Sequence, residues 1–517
     1  MIIAILFCVC YLAAWAAVMR YHIQMFQQNS YMPQRYFRWL KGSFYTHGAI
    51  LPVLALALCW TPFLRLLGAL LFAYIAYREF STSYKIKIAY TKRVIRLIIT
   101  TILLSVLLIF LAGKLFNGVG MVAFVAVLLL VLAPFIVVLA NLINSPIESA
   151  IRRWYYNDAA KMLAARPDLT IIGITGSFGK TSTKNYLYRI LSEKYNTLVT
   201  PGNFNTTLGV VRTVREQLKP YHKIFIVEMG AKQRGDIKEI CDLVHPSIGI
   251  VTSVGDMHLE TFGSRENILA TKFELLDALP ANGFGVVNFD SEPIASARIP
   301  DNCGVLRYGI RNSADIMASD LEYSASGTSF TLSGLDPIPF RLSTRLLGES
   351  NVLNIVAAAT VAFKLGMSAD QIRIAVSKLQ QVEHRLSMSN KGGLVVLDDA
   401  YNSNPLGAKM ALDVMQGIKV PQDGKHVVIT PGFVEMGSAQ FEANKELGSY
   451  AAGKADLLVI VNKLNREAIL QGAREAGMDE GKIVVADSLS EALQKISGSI
   501  KPGDVLLYEN DLPDMFK

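Results

Sequence analysis

The residues best able to do chemistry stand together in Ile171-Ile-Gly-Ile-Thr-Gly-Ser-Phe-Gly-Lys180-Thr-Ser182, where an apolar run meets a glycine turn and then an amphipathic stretch. Gly176 and Gly179 let backbone amides approach a phosphate chain, and the helix that begins at the turn adds its positive end. Lys180 supplies a point charge to the β- and γ-phosphates, and the Thr181 hydroxyl is a ligand for Mg²⁺. The nucleotide set read from this loop is Thr175, Gly176, Ser177, Gly179, Lys180, Thr181 and Ser182. Ile174 stands where the general G-x-x-x-x-G-K-T pattern has its first glycine, so the loop departs from that pattern.

Such a loop needs a buried strand before it and a helix after it. Short apolar runs at 170–174, 224–228, 248–252 and 285–288 alternate with amphipathic stretches such as 180–193, which predicts a parallel α/β sheet. A more β-like passage, 321–341, interrupts the alternation, with turn signals at Ser326-Gly327 and Ser333-Gly334. After Arg385 a second series of runs, at 394–397, 427–429, 457–461, 483–485 and 505–507, predicts a separate Rossmann-like domain.

The first 147 residues are different in kind. Mean hydropathy over the chain is +0.32, and the apolar residues are concentrated here. Up to Asn144 the only acid is Glu79 against twelve Lys and Arg, a net +11, whereas the rest of the chain, with 39 bases and 42 acids, carries −3. Basic charge confined between apolar runs is an orientation and headgroup signal, so the high isoelectric point does not indicate nucleic acid. Residues 1–19, 98–116 and 121–143 are each long enough to cross a hydrocarbon core. The stretch 50–77, broken by Pro62 and Arg65, reads as two short crossings or a re-entrant hairpin, for four or five spans in all. The first run has no basic residue ahead of it and ends in Arg20-Tyr-His, so it reads as a retained helix rather than a cleaved signal. The basic loops then lie on the cytoplasmic side with the nucleotide-binding part. The five cysteines have no metal-ligand spacing and read as packing residues in a reducing compartment.

From about residue 170 onward the chain resembles the Mur ligase family. Thr175-Gly-Ser-Phe-Gly-Lys180-Thr-Ser is similar to that family's shortened phosphate loop. Further matches follow in the family's order: Pro201-Gly-Asn-Phe-Asn205-Thr-Thr-Leu-Gly209, Val227-Glu228-Met-Gly230, Met257-His258-Leu-Glu-Thr-Phe-Gly263, Asn351-Val-Leu-Asn354, Glu383-His-Arg385-Leu, and Asp398-Asp399-Ala-Tyr401-Asn402-Ser-Asn404-Pro405. The His258 stretch resembles the ligase that adds D-alanyl-D-alanine to the peptidoglycan precursor. Hydropathy gives an α-helical membrane domain (1–147), and the resemblance implies that α/β domains follow it: a central P-loop domain with a parallel sheet (148–386) and a Rossmann-like C-terminal domain (387–517).

It also implies an ATP-dependent amide ligase of cell-envelope synthesis. ATP's γ-phosphate would activate a carboxylate as an acyl phosphate, which an amine of an amino acid or dipeptide attacks. By that resemblance Lys180 binds phosphates, Thr181 and Glu228 hold one Mg²⁺, and His258 holds a second that polarises the carboxylate. Lys272, in Ala270-Thr-Lys272-Phe-Glu274, matches the lysine that the family carries as a carbamate. Asn354, Arg385 and Asp399 match positions for adenine, γ-phosphate and ribose, with Tyr401 and Asn402 beside the nucleotide. Asn203 and Asn205 fall on the acyl-substrate side.

Two departures limit the borrowing. Apolar helices stand where the peptidoglycan ligases grip a uridine nucleotide, so a lipid-linked and a nucleotide-linked precursor both stay open. The chain also ends Tyr508-Glu509-Asn510-Asp511 where the D-alanyl-D-alanine-adding enzyme has a Lys-Gly-Ser turn, which suggests a different, cationic amine. A polymerising ligase of the poly-γ-glutamate kind and a catalytically idle ATP-binding membrane scaffold are the competing readings, and the oligomeric state is not legible.

Overall fold

The computed structural model describes residues 2–43, 50–57, 60–82, 84, 86–116, 118–202, 204–255, 259–324, 327–381, 386–400, 404–434 and 436–512. The chain forms two compact units, Met1–Trp154 and Tyr155–Leu512.

The first unit is helical: α1 (Ile2–Gln28), α2 (Pro33–Ser43), α3 (Ile50–Leu56), α4 (Pro62–Ser81), α5 (Lys92–Leu115), α6 (Val119–Val131) and α7 (Ala133–Ala164), the last running on into the second unit. Helices α4 and α5 start at threonine caps, Thr61 accepting from the Leu64 amide and Thr91 from the Val94 amide. By length and composition α1, α5 and α7 could each cross a membrane, and α6 is a shorter apolar helix. The single span expected at 121–143 is divided at Leu132. Pro134 follows the break, and its ring nitrogen cannot donate to a carbonyl one turn back. The stretch 50–77 is divided as well, into α3 and α4.

Polar bonds gather at one end of this bundle. Arg20 donates to the Glu79 carbonyl (2.8 Å) and Gln24 to that of Ile86 (2.8 Å). Between α5 and α7, Arg93 donates to Asn141 (3.2 Å), Thr100 to Asn144 (2.9 Å) and Arg96 to Glu148 (2.7 Å). At the other end the Trp60 ring lies 5.8 Å from that of Phe124.

In the second unit the elements are β1 (Thr170–Thr175), α8 (Lys180–Leu191), β2 (Thr197–Val199), α9 (Thr207–Gln217), β3 (Ile224–Glu228), α10 (Asp236–Val244), β4 (Ile248–Val251), α11 (Leu259–Phe262), α12 (Arg265–Asp277), β5 (Phe284–Asn288), α13 (Glu292–Ala295), β6 (Gly304–Gly309), β7 (Ile316–Ser324), β8 (Gly327–Ser333), β9 (Phe340–Thr344), α14 (Glu349–Lys364) and α15 (Ala369–Ser377). They build one nine-stranded sheet in the order β2-β3-β1-β4-β5-β6-β7-β8-β9. It is parallel through β7 and antiparallel at β7–β8 and β8–β9. The β-like passage 321–341 does interrupt the strand–helix alternation, as β7, β8 and β9, but these strands extend the same sheet, which is therefore mixed and not parallel throughout. Each of β1, β3 and β4 is buried along nearly its whole length, because helices cover both faces. Tyr186, Leu187 and Ile190 of α8 pack with Val352, Ile355 and Val356 of α14 on one face. Val210, Ile237, Ile240, Leu275 and Leu276 cover the other. Each such side chain contributes about 1.5–3 kcal/mol on burial, so the sheet, more than helix propensity, holds these helices in place.

The remaining elements are β10 (Ser387–Lys391), β11 (Leu394–Asp399), α16 (Pro405–Gly417), β12 (His426–Thr430), α17 (Gln440–Ala452), β13 (Leu457–Val461), α18 (Arg466–Glu475), β14 (Ile483–Ala486), α19 (Leu489–Ile496) and β15 (Val505–Glu509). They form a second sheet, ordered β10-β11-β15-β12-β13-β14. Only the β10–β11 hairpin in it is antiparallel.

Candidate active site

The site starts where β1 hands over to α8. Gly176 (φ +148°) and Gly179 (φ +81°) occupy conformations that L side chains rarely adopt. A Cβ on Gly176 would lie 2.1 Å from Thr252 Oγ1, and one on Gly179 2.5 Å from Asn354 Oδ1. The loop is thus clamped from two sides. Behind β4, the Ser253 carbonyl accepts from the Ser177 amide (2.7 Å) and the Ser253 hydroxyl from the Phe178 amide (3.2 Å). Ser177 Oγ in turn donates to the Gly255 carbonyl (3.0 Å), and Thr175 Oγ1 to that of Met229 (3.0 Å). Those hydroxyls and the Ser177 and Phe178 amides are used within the protein, so the amides suited to a phosphate chain include those of the first α8 turn, Lys180, Thr181 and Ser182, which have no intrahelical acceptor. Lys180 Nζ folds back over the loop, donating to the carbonyls of Gly176 (2.6 Å) and Ser177 (3.0 Å).

Two amides of α14, one turn apart, grip α8. Asn354 Oδ1 accepts from Thr183 (3.0 Å) and Asn351 Oδ1 from Tyr186 (2.7 Å). Asn354 therefore braces the start of α8 and lies against the phosphate loop at Gly179.

Glu228 ends β3 beside the first α8 turn. Its Oε1 accepts from Thr181 Oγ1 (3.1 Å) and Asn205 Nδ2 (3.2 Å). Oε2 lies 3.0 Å from Lys184 Nζ but outside hydrogen-bond angles, so this buried oxygen keeps acceptor capacity. Burial alone would raise the carboxyl. The charges of Lys184 and then Lys180 outweigh burial and hold it below its ordinary range. A hydroxyl and an ionised carboxylate with spare lone pairs fit Mg²⁺, which takes few protein oxygens and completes its shell with phosphate and water. Among the described residues no cluster of three His, Cys, Asp or Glu side chains makes a self-sufficient metal cage.

Lys272, on α12, is 3% exposed. Leu275 of the same helix packs onto β1, where a Cβ on Gly173 would come within 2.6 Å of its Cδ1, and this close approach sets the helix position. Burial first, then the charge of Lys180, pulls the Lys272 ammonium down to about 7.

Of the other residues singled out from the sequence, Asp399 closes β11, accepting from the Leu386 amide (3.0 Å). Glu509 is fully buried at the end of β15, paired in register with Asp399. His258, Arg385, Tyr401, Asn402 and Asn203 lie outside the described residues. Sequence reasoning missed Lys184, Thr252 and Ser253. The polar pair straight after an apolar strand was a readable signal, and Lys184 shares a helix face with Lys180, one turn on.

The Mur ligase middle domain model matches residues 174–362, and the Mur ligase glutamate ligase domain model matches 384–508. The UDP-N-acetylmuramoyl-tripeptide–D-alanyl-D-alanine ligase of Mycobacterium bovis is 32% identical over 370 residues, covering 68% of this chain and 72% of the relative. The Bacillus subtilis enzyme of the same name is 28% identical, with 66% and 72% covered. Among solved structures, MurF of Thermotoga maritima in complex with ADP superposes with a TM-score of 0.62 at 26% identity, covering 70% of this chain and 81% of that one. A pseudomurein peptide ligase type C from Methanothermus fervidus shares the fold, with a TM-score of 0.54 at 20% identity and 68% and 77% covered. The phosphate loop, the carboxylate at the end of β3 and the two sheets therefore have one common explanation: the chain belongs to the Mur ligase family of ATP-dependent acid–amino-acid ligases.

Proposed function

We propose that this chain is a membrane-inserted Mur ligase of cell-envelope synthesis. In this reading it activates a carboxylate of a muropeptide-like precursor as an acyl phosphate and joins it to the amine of an amino acid or dipeptide. The observation that carries it is the convergence at the first α8 turn, where Thr181 and Glu228 face each other at 3.1 Å beside Lys180. Lys180 would leave its loop carbonyls for the β- and γ-phosphates, so charge is neutralised as two anions approach. Mg²⁺, held by Thr181 and Glu228, would supply further neutralisation. The γ-phosphorus–oxygen bond to ADP breaks as the carboxylate oxygen bonds to phosphorus. The amine then displaces phosphate from the acyl carbon and loses a proton.

In the same reading Lys272 is carbamylated. Among the described residues its ammonium makes no hydrogen bond or ion pair, and a neutral amine is the form that captures CO₂. The carbamate and His258 would serve a second Mg²⁺, while Arg385, Asp399, Tyr401 and Asn402 line the nucleotide and Asn203 and Asn205 the acyl substrate. The domain limits adopted are 1–147, 148–386 and 387–517.

Membrane insertion is supported by three helices of sufficient length and by outward apolar side chains such as Leu70, Leu103, Val106 and Phe110. Helix α4 is a fourth crossing: its 20 residues span about 30 Å. They run from the end marked by Trp60 and Phe124 to the end where Glu79 meets Arg20. The polar end holds Arg20, Arg93 and Arg96, which orients it to the cytoplasm. Phosphate release by the detergent-solubilised chain tests the function, with nucleotide-linked and lipid-linked muropeptides against D-alanyl-D-alanine and single amino acids, cationic ones included. Turnover with at least one pair is expected. ATP binding with turnover of none would overturn the ligase reading in favour of a scaffold.

A further inference from the structure

Lys184 is a buried lysine that the chemistry above does not use. It is 2% exposed on α8, one turn beyond Lys180. Its Nζ donates to the carbonyls of Thr200 (3.0 Å) and Gly202 (2.7 Å) and stands 3.0 Å from Glu228 Oε2. An ammonium has three donors. Two are used on the turn after β2, and the ammonium's charge is paired with Glu228 at ion-pair distance, so the lysine is engaged within the protein. The same turn leads to Asn205, which donates to the other oxygen of Glu228, and Thr200 Oγ1 accepts from the Glu228 amide (3.1 Å).

We infer that Lys184 is a positioning residue: it fixes the Glu228 carboxylate and the Thr200–Gly202 turn as one unit, so that Oε1 faces Thr181 and metal-assisted nucleotide binding depends on it. The turn precedes the asparagines assigned to the acyl substrate, so one ammonium ties the metal carboxylate to the acyl-substrate loop. This rests on the proposal that Thr181 and Glu228 hold Mg²⁺.

The test is equilibrium binding of a fluorescent N-methylanthraniloyl-ADP to the full-length, detergent-solubilised chain, in Mg²⁺ and in EDTA. The parent is expected to bind about tenfold tighter in Mg²⁺. Lys184→Met is expected to keep its EDTA affinity within about twofold and to lose most of the Mg²⁺ gain, and Glu228→Gln to lose the same gain. Because Lys184→Met leaves a buried carboxylate uncompensated, which destabilises the fold, the neutral pair Lys184→Met with Glu228→Gln is compared with Glu228→Gln alone. Equal affinities support the inference, and additive losses overturn it. A Lys184→Met chain that retains the Mg²⁺ gain, or that loses affinity equally in EDTA, also overturns it. A parent with no Mg²⁺ gain removes the metal reading beneath it, and the inference with it.

Discussion

At Lys272 the fold places an ammonium out of water, beside the Phe262 ring (5.8 Å) and within the field of Lys180. Its folded pKa, lowered to about 7, lies below the ordinary value of about 10.4. Between those values the unfolded chain binds the extra proton, so stability rises with pH across that window and is level below it, where both states are protonated. Lys272→Met is therefore expected to raise the apparent Tm at neutral pH in CO₂-free buffer and to flatten its rise from about pH 7 to 10. A lower Tm throughout would mean that the lysine is stabilising as it stands. Carbamate formation needs the neutral amine, so a carbamate carbon signal from ¹³C-bicarbonate should fade as pH drops through about 7 and be missing in the Met variant. At Lys180 the role is electrostatic: Lys180→Ala should lower the rate of phosphate release by about a hundredfold or more, and a parental rate would remove the phosphate-loop chemistry.

At the scale of elements, the turns after β1 and after β2 depend on glycines for two separable reasons. Gly176 has both a left-handed φ and a neighbour, Thr252 Oγ1, where a methyl would sit, whereas Gly202 (φ +51°) faces open space. Gly176→Ala is expected to destabilise by about 1–3 kcal/mol through overpacking and to abolish nucleotide binding. Gly202→Ala should cost only about 1–2 kcal/mol, from backbone strain. Thermal melts with and without ADP separate the two, and equal effects would show that the clamp by Thr252 is unimportant. The strand–helix handover was legible, since an apolar run followed by glycines and Lys-Thr has few other uses. The clamp was not, because it joins residues about 75 positions apart through bonds that no local pattern encodes.

For the whole molecule, the helical unit makes a topological prediction. Single cysteines at Lys87, by the polar end, and at Phe116, by the opposite one, should react with an impermeant maleimide from opposite faces of sealed vesicles. Labelling of both from one face would refute the crossing assigned to α5. The amino-acid sequence by itself determined the phosphate loop, the separation of a basic apolar segment from an ordinary globular one, and most parallel strands, because charge, hydropathy and period are local quantities. It misjudged what depends on distant partners. The span at 121–143 is divided beside Pro134, and the sheet expected to be parallel is mixed, because the β-like passage 321–341 joins it where β7 finds a parallel edge on β6 and β8 and β9 then pair antiparallel. Within the acidic chain end, Glu509 is fully buried at the end of β15 whereas Asp511 is exposed, a division that the sequence does not show. Tertiary structure alone decided that Lys184 closes on Glu228 and that Lys272 is stripped of water. A side chain's charge state and partners are set by whatever the fold brings within a few ångströms of it, and the chain order does not contain that distance.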